Sequence, residues 1–204
     1  MFKGKKKFFI LCGAGVVWGL LSIKLAYGWG PQGHRVVGAV PESNLAPETK
    51  KYIAEDFSIN NLADIANWAD KVKRYRKQEK PWHYANVKEG EWIYVMSRDC
   101  PEGSCVIEKI KEFSAALANV KLPLKSRKIA LKYLVHFVGD VHQPLHLGNR
   151  KDLGGGKIRL TYLGKKVTLH YLWDGGLIDW KKENLLRYAT LECSDARFRK
   201  IKMV

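Results

Sequence analysis

Leu131-Lys-Tyr-Leu-Val-His-Phe-Val-Gly-Asp-Val-His-Gln-Pro-Leu-His146 is the stretch that decides the fold. Its apolar residues recur at the helical period as far as Val141, and Pro144 ends the helix because its ring cannot continue the hydrogen-bond ladder. His136 and Asp140 are four apart, so both side chains leave one face of that helix on adjacent turns. His146 follows six residues after Asp140, beyond the turn. In Leu169-His-Tyr-Leu-Trp-Asp174 the same spacing recurs between His170 and Asp174. Imidazole nitrogens with carboxylate oxygens suit Zn²⁺, and two such helical pairs can clasp neighbouring ions. One His-x3-Asp pair alone is commonplace, whereas two pairs and an extra histidine point to metal. His142, two residues from Asp140, projects across the helix and reads as a supporting or core histidine.

Outward from this block, the 204 residues suffice for one domain with a hydrophobic core, and no repeat or long linker divides them. Helical patterning covers 34–40, 47–57, 61–73 with Ile65, Trp68 and Val72 on one face, and 106–117. Ser126 reads as the cap of the long helix ending at Val141. Residues 157–163 and 166–169 flank Gly164-Lys165 as a hairpin, and 170–179 and 180–188 look helical again. The expected fold is mainly α, a single helical domain with a small β-hairpin.

The chain opens with Lys3, Lys5, Lys6 and Lys7, an apolar run from Phe8 to Ile23, and the small residues Ala26 and Gly28 two apart. That is the pattern of a secretory signal removed after Gly28, leaving a domain over 29–204. A retained membrane anchor is the alternative. Cleavage lowers the formal charge from +16 to +11, and a basic surface concentrates polyanions without specifying them. Cys100-Pro-Glu-Gly-Ser-Cys105 reads as a small disulfide loop in an oxidising compartment, against the rival reading of a metal pair. Cys193 is left over.

Taken in order, Trp29-Gly-Pro-Gln-Gly-His34, Trp68-Ala-Asp70, Trp82-His-Tyr84, His136 to His146 and His170-Tyr-Leu-Trp-Asp174 resemble the type I single-strand-specific nucleases of fungi, plants and bacteria, over residues 29 to about 180. The resemblance implies the helical fold shared by those nucleases and zinc phospholipase C, and three zinc ions. Asp70, His83, His136 and Asp140 would hold one ion, and His146, His170 and Asp174 a second. Trp29, through its α-amino group and carbonyl oxygen, would hold the third with His34 and Asp140. An α-amine with a pKa near ~8 can lose its proton and bind zinc, so the Trp29 site requires signal removal. The implied activity is a secreted or periplasmic endonuclease, acting on single-stranded DNA and RNA to give 5′-nucleotides and also on 3′-nucleotides. A monomer with no stable membrane association after cleavage is expected.

Two catalytic candidates follow from the same resemblance. Lys73 lies three residues after Asp70, where the family often has a basic residue near the scissile phosphate. Asn86, three after His83, stands where many relatives carry Asp to orient the attacking water. Gly156 takes a place that is commonly Asn and is thought to hold the base. Trp82, Tyr84 and Trp92 are available for stacking bases. Relatives usually continue for several helices beyond Asp174, and here those C-terminal helices are expected to be missing. A zinc phospholipase C is the second reading, disfavoured because such enzymes place the first histidine further from the terminal Trp and use Glu where Asp174 stands. An inactive, truncated polyanion-binding protein is the third.

Overall fold

The computed structural model describes residues 29–91 and 93–179. The expected signal segment, Trp92, the helix expected over 180–188 and Cys193 lie outside the described residues.

Proline opens both α1 (Pro31–Asn44) and α2 (Pro47–Glu55), as suits a residue whose missing N–H costs nothing in a first turn. The Asn61 side chain accepts from the Ala63 N–H at 2.7 Å and caps α3 (Leu62–Ile65). A second short helix, α4 (Trp68–Val72), follows. The single helix expected over 61–73 is therefore broken at Ala66-Asn67. The break has a tertiary cause: the Ala66 carbonyl accepts from His136 Nδ1 at 2.6 Å, and the Asn67 amide donates to the Pro31 carbonyl at 3.0 Å.

A 3₁₀ segment (Lys77–His83), α5 (Met96–Asp99), α6 (Val106–Ala118) and α7 (Leu124–Val141) come next. Ser126 does not cap α7. Its N–H already bonds to the Pro123 carbonyl at 2.9 Å, and Pro123 holds the cap position, so the helix starts three residues earlier than expected. After a 3₁₀ turn (Pro144–Leu147), β1 (Arg159–Tyr162) and β2 (Lys165–Thr168) pair antiparallel with Tyr162 opposite Lys165. Their two-residue turn is Leu163-Gly164, both at positive φ (48° and 74°), one residue before the expected Gly164-Lys165. Such φ signs match the twist of the flanking strands. Finally α8 (Leu169–Tyr171) runs into a π-helical turn (Leu172–Gly176) and a last helical turn (Leu177–Asp179).

α7 is the axis of the fold. Leu131 and Val135 pack with Phe57, Ile59, Leu62 and Ala66 in one buried cluster. Tyr133 and Phe137 pack with Val106, Ala69, Ala85 and the Cys100–Cys105 pair in another. Between these two apolar faces the helix points His136 and Asp140 toward α1 and α4. Cys100 and Cys105 are disulfide-bonded, Cα atoms 5.9 Å apart, as the spacing suggested, which removes the metal-pair alternative. No helix among the described residues is long and apolar enough to cross a membrane.

Candidate metal centre

Three histidines of the site, His136, His146 and His170, are each aimed by a backbone carbonyl. Nδ1 of His136 donates to Ala66 O at 2.6 Å, that of His146 to His83 O at 2.7 Å, and that of His170 to Gly154 O at 2.7 Å. A carbonyl only accepts, so Nδ1 carries a proton in each ring and the inward-facing Nε2 is the nitrogen that can bind an ion once it holds no proton.

Around Asp140 the donors converge from four elements. His136 Nε2 lies 3.2 Å from Asp140 Oδ2 and 3.5 Å from Asp70 Oδ1. His83 Nδ1 lies 2.9 Å from Asp140 Oδ2 and 3.7 Å from Asp70 Oδ1. His34 of α1 stacks on His136, centroids 3.9 Å apart, with Nε2 3.5 Å from Asp140 Oδ1. That stacking depends on Gly139, where a Cβ would sit 2.8 Å from His34 Nδ1.

A neighbouring group is built from the 3₁₀ turn and the chain after the hairpin. The His146 and His170 rings stack at 5.3 Å, and Asp174 lies 3.8 Å from His146 Nε2 and 3.2 Å from His170 Nε2. The loop supplying the Gly154 carbonyl is left-handed over Leu153, Gly154 and Gly155. At Gly154 a Cβ would fall 2.3 Å from the Leu145 carbonyl oxygen, so glycine is required.

His34–His136–Asp140, Asp70–His83–His136 and His146–His170–Asp174 thus form three groups whose candidate ligand atoms lie within 4.8 Å of one another, and all are buried. Among the described residues, both ring nitrogens of His34, Nε2 of His83 and His170, and Oδ1 of Asp140 have no hydrogen-bond partner. Leaving such atoms buried and unpartnered is costly, and a cation would satisfy them together. Mixed nitrogen and oxygen donors fit zinc.

Trp29 adjoins the same region. The Gly30 N–H donates to the Asp174 carbonyl, and Gly33 abuts the Trp29 side chain, where a Cβ would sit 2.8 Å from the tryptophan Cβ.

The electrostatics follow from burial among opposite charges. Burial works against the charged form of His136, but Asp140 and Asp70 outweigh it and raise its pKa to about 10. Burial lowers His83 to about 4 against the pull of Asp140. His34 is also lowered, by burial and then by the neighbouring His136. Asp70 and Asp140 are held below the usual carboxylate range: burial opposes this, and hydrogen bonding and charge from His136 prevail.

Beside these groups opens a cleft of about 310 Å³ whose wall includes Lys73, Lys80, Tyr84, Asn86, His146 and His170. Lys73 is not a solvated helix lysine; it is buried and ion-paired with Asp70. Asn86 and the exposed Tyr84 also face the cleft, whereas Trp82 packs into the core against Tyr133 and Phe113. Gly154, rather than Gly156, lines the cleft. His142 is neither core nor part of the groups: it is exposed, with Nδ1 on the Val138 carbonyl at 2.6 Å.

Sequence reasoning missed Gln143. Fully buried, it donates through Nε2 to Asp174 Oδ1 at 2.5 Å and accepts from the Leu145 N–H at 2.6 Å, so it orients Asp174. Its place between the helix end and Pro144, inside the ligand-rich block, was the available signal. Glu79 and Tyr133 were missed as well; the tyrosine hydroxyl donates to the buried carboxylate at 2.7 Å.

Residues 29–202 match the family model described as S1/P1 Nuclease. The chain is 30% identical over 193 residues to Endonuclease 2 of Arabidopsis thaliana, covering 88% of this chain and 66% of the relative. It is 36% identical over 164 residues to Nuclease S1 of Aspergillus oryzae, covering 76% and 56%. With Nuclease P1 of Penicillium citrinum it shares 31% over 154 residues, covering 72% and 57%. The chain therefore spans between 56% and 66% of the length of these relatives.

Proposed function

This chain belongs to the S1/P1 nuclease family, and from that premise we propose that it is a zinc-dependent endonuclease hydrolysing single-stranded DNA and RNA to 5′-nucleotides, with 3′-nucleotidase activity. The reading extends to a secreted or periplasmic monomer, freed of residues 1–28. One observation carries it: three histidine–carboxylate groups with unpartnered buried donors stand beside a cleft lined by Lys73, Asn86 and Tyr84.

In this proposal Asp70, His83, His136 and Asp140 hold one zinc, and His146, His170 and Asp174 a second. Trp29, His34 and Asp140 hold a third. Bound zinc supplies a Lewis acid and lowers the pKa of water toward ~7. The protein side chains do the rest. Lys73, kept in place by Asp70, presents a fixed positive charge to a phosphate entering the cleft. Asn86 offers an amide that can orient a water by hydrogen bonding but cannot take its proton. Tyr84, with its ring exposed at the cleft wall, provides a face for an unstacked base, and duplex bases are not available for such stacking.

Zinc content measured on the chain beginning at Trp29, together with a digestion panel, tests the reading. The expected result is close to three equivalents and cleavage of single-stranded DNA and RNA that stops on chelation and returns with zinc. Fewer than two equivalents without cleavage would overturn it in favour of an inactive polyanion binder, and preferential hydrolysis of phosphatidylcholine in favour of a phospholipase.

A further inference from the structure

The reaction cleft does not end at its own wall. Tyr84 and Asn86 also line an adjoining concavity walled by the Cys100–Cys105 loop, and that concavity shares Asn86 and Arg150 with a third, bordered by Lys88 and Lys151. These adjoining concavities, with Asn86 common to all three, make up the groove that reaches Arg150, and Asp99 and Glu102 also line its middle part.

Along the far stretch the other cations are matched by acids. Lys151 pairs with Glu89 at 2.7 Å, Lys88 lies 3.8 Å from Glu91, and Arg98 bonds Asp99 at 2.8 Å and lies 3.4 Å from Glu91. Arg150 is exposed and makes no ion pair among the described residues. Its backbone is nonetheless fixed. Asn149 forms a parallel bridge with Val87, the residue after Asn86, and accepts from the Gly154 N–H at 2.9 Å. The loop that carries Arg150 is therefore tied both to the cleft wall and to the turn that aims His170.

We infer that this groove takes the continuation of a single-stranded polynucleotide, and that Arg150 binds one of its backbone phosphates away from the bond being cut. The inference rests on the nuclease reading above. A guanidinium donates two parallel hydrogen bonds to a phosphate, and an unpaired one need not give up an acid to do so. Arg150 would then favour long strands over short ones and leave the chemical step itself unchanged.

The test uses the zinc-loaded chain from Trp29 and its Arg150→Ala, Arg150→Glu and Arg150→Lys variants, with thermal melts to confirm folding. Binding of a labelled long oligothymidine is followed by anisotropy between ~50 and ~200 mM salt, and kcat/KM is compared for that strand and for a thymidine dinucleotide. Each phosphate contact on a single strand contributes about 0.7 to the slope of log affinity against log salt. Arg150→Ala should lower the magnitude of that slope by about 0.7, Arg150→Glu should weaken binding further, and Arg150→Lys should restore the slope. Dinucleotide hydrolysis should be unchanged within about twofold. An unaltered slope in both Ala and Glu variants overturns the inference, as does an equal fall for dinucleotide and long strand. Absence of cleavage by the unsubstituted chain would count against the nuclease reading alone, since the binding arm still reports on Arg150.

Discussion

Gly139 permits the approach of two imidazoles that the fold stacks between α1 and α7. A methyl group there would meet His34 Nδ1 at 2.8 Å, with backbone on its own side and a packed ring on the other. Gly139→Ala should cost about 1–3 kcal/mol through this overpacking and displace His34. The expected readout is one zinc equivalent fewer by metal analysis, with the remaining equivalents retained. The titrations at the centre give a second expectation. His136, raised to about 10 from 6.5, stabilises the metal-stripped fold fully below 6.5, and that contribution is lost as pH climbs toward 10. His83, lowered to about 4, contributes in the opposite sense: its share is present above 6.5 and lost as pH falls toward 4. Melts of stripped protein should therefore peak near neutral pH and decline on both sides. Zinc uptake near pH 7 should release the His136 proton, a release that calorimetry in buffers of different ionisation enthalpy would detect.

At the scale of elements, the clamp between the 3₁₀ segment Lys77–His83 and α7 sets the relation of His83 to His136. Glu79 lies four residues before His83, and Tyr133 three before His136; their buried hydrogen bond at 2.7 Å joins the two elements one turn before each candidate ligand. Tyr133→Phe strips the Glu79 carboxylate of this donor and leaves it, among the described residues, with Arg76 at 3.3 Å. It should cost about 1–3 kcal/mol, seen as a lowered midpoint in urea with the slope unchanged. Phe137→Ala, on the same apolar face, should cost about 3–5 kcal/mol. These elements also show what could be read in advance. The four-residue spacing within α7 and the hairpin were legible because periodicity is local. The break at Ala66-Asn67 was not, because it depends on a carbonyl turned toward His136, seventy residues away. The start of α7 was misplaced because Ser126 matched the cap preference, whereas the Pro123 carbonyl does that work.

Over the whole molecule, the candidate side-chain ligands come from segments scattered between His34 and Asp174, and only the folded chain brings them together. The paired spacings in α7 and after the hairpin were readable as candidate metal sites from the residues themselves. Asp70, His83, His34 and Trp29 were readable only through the ordered resemblance, since each alone passes for an ordinary core or surface residue. Gln143 and Glu79 escaped both routes, because nothing local distinguishes a polar residue that will be buried from one that will be solvated. Ions that bind the native state alone stabilise it by mass action, so zinc should raise the melting temperature in a concentration-dependent way. One added residue before Trp29 should abolish most cleavage, because an amide nitrogen there is a poor zinc donor. Comparable turnover by the extended chain would refute that role for Trp29.

His83 belongs to both halves of the centre: its imidazole faces Asp140 while its main-chain oxygen receives His146 Nδ1 at 2.7 Å. Seating an ion against that ring also steadies the peptide unit that aims the neighbouring histidine. Filling should accordingly be cooperative, with a titration curve steeper than independent sites produce and partly loaded species scarce at every intermediate zinc concentration.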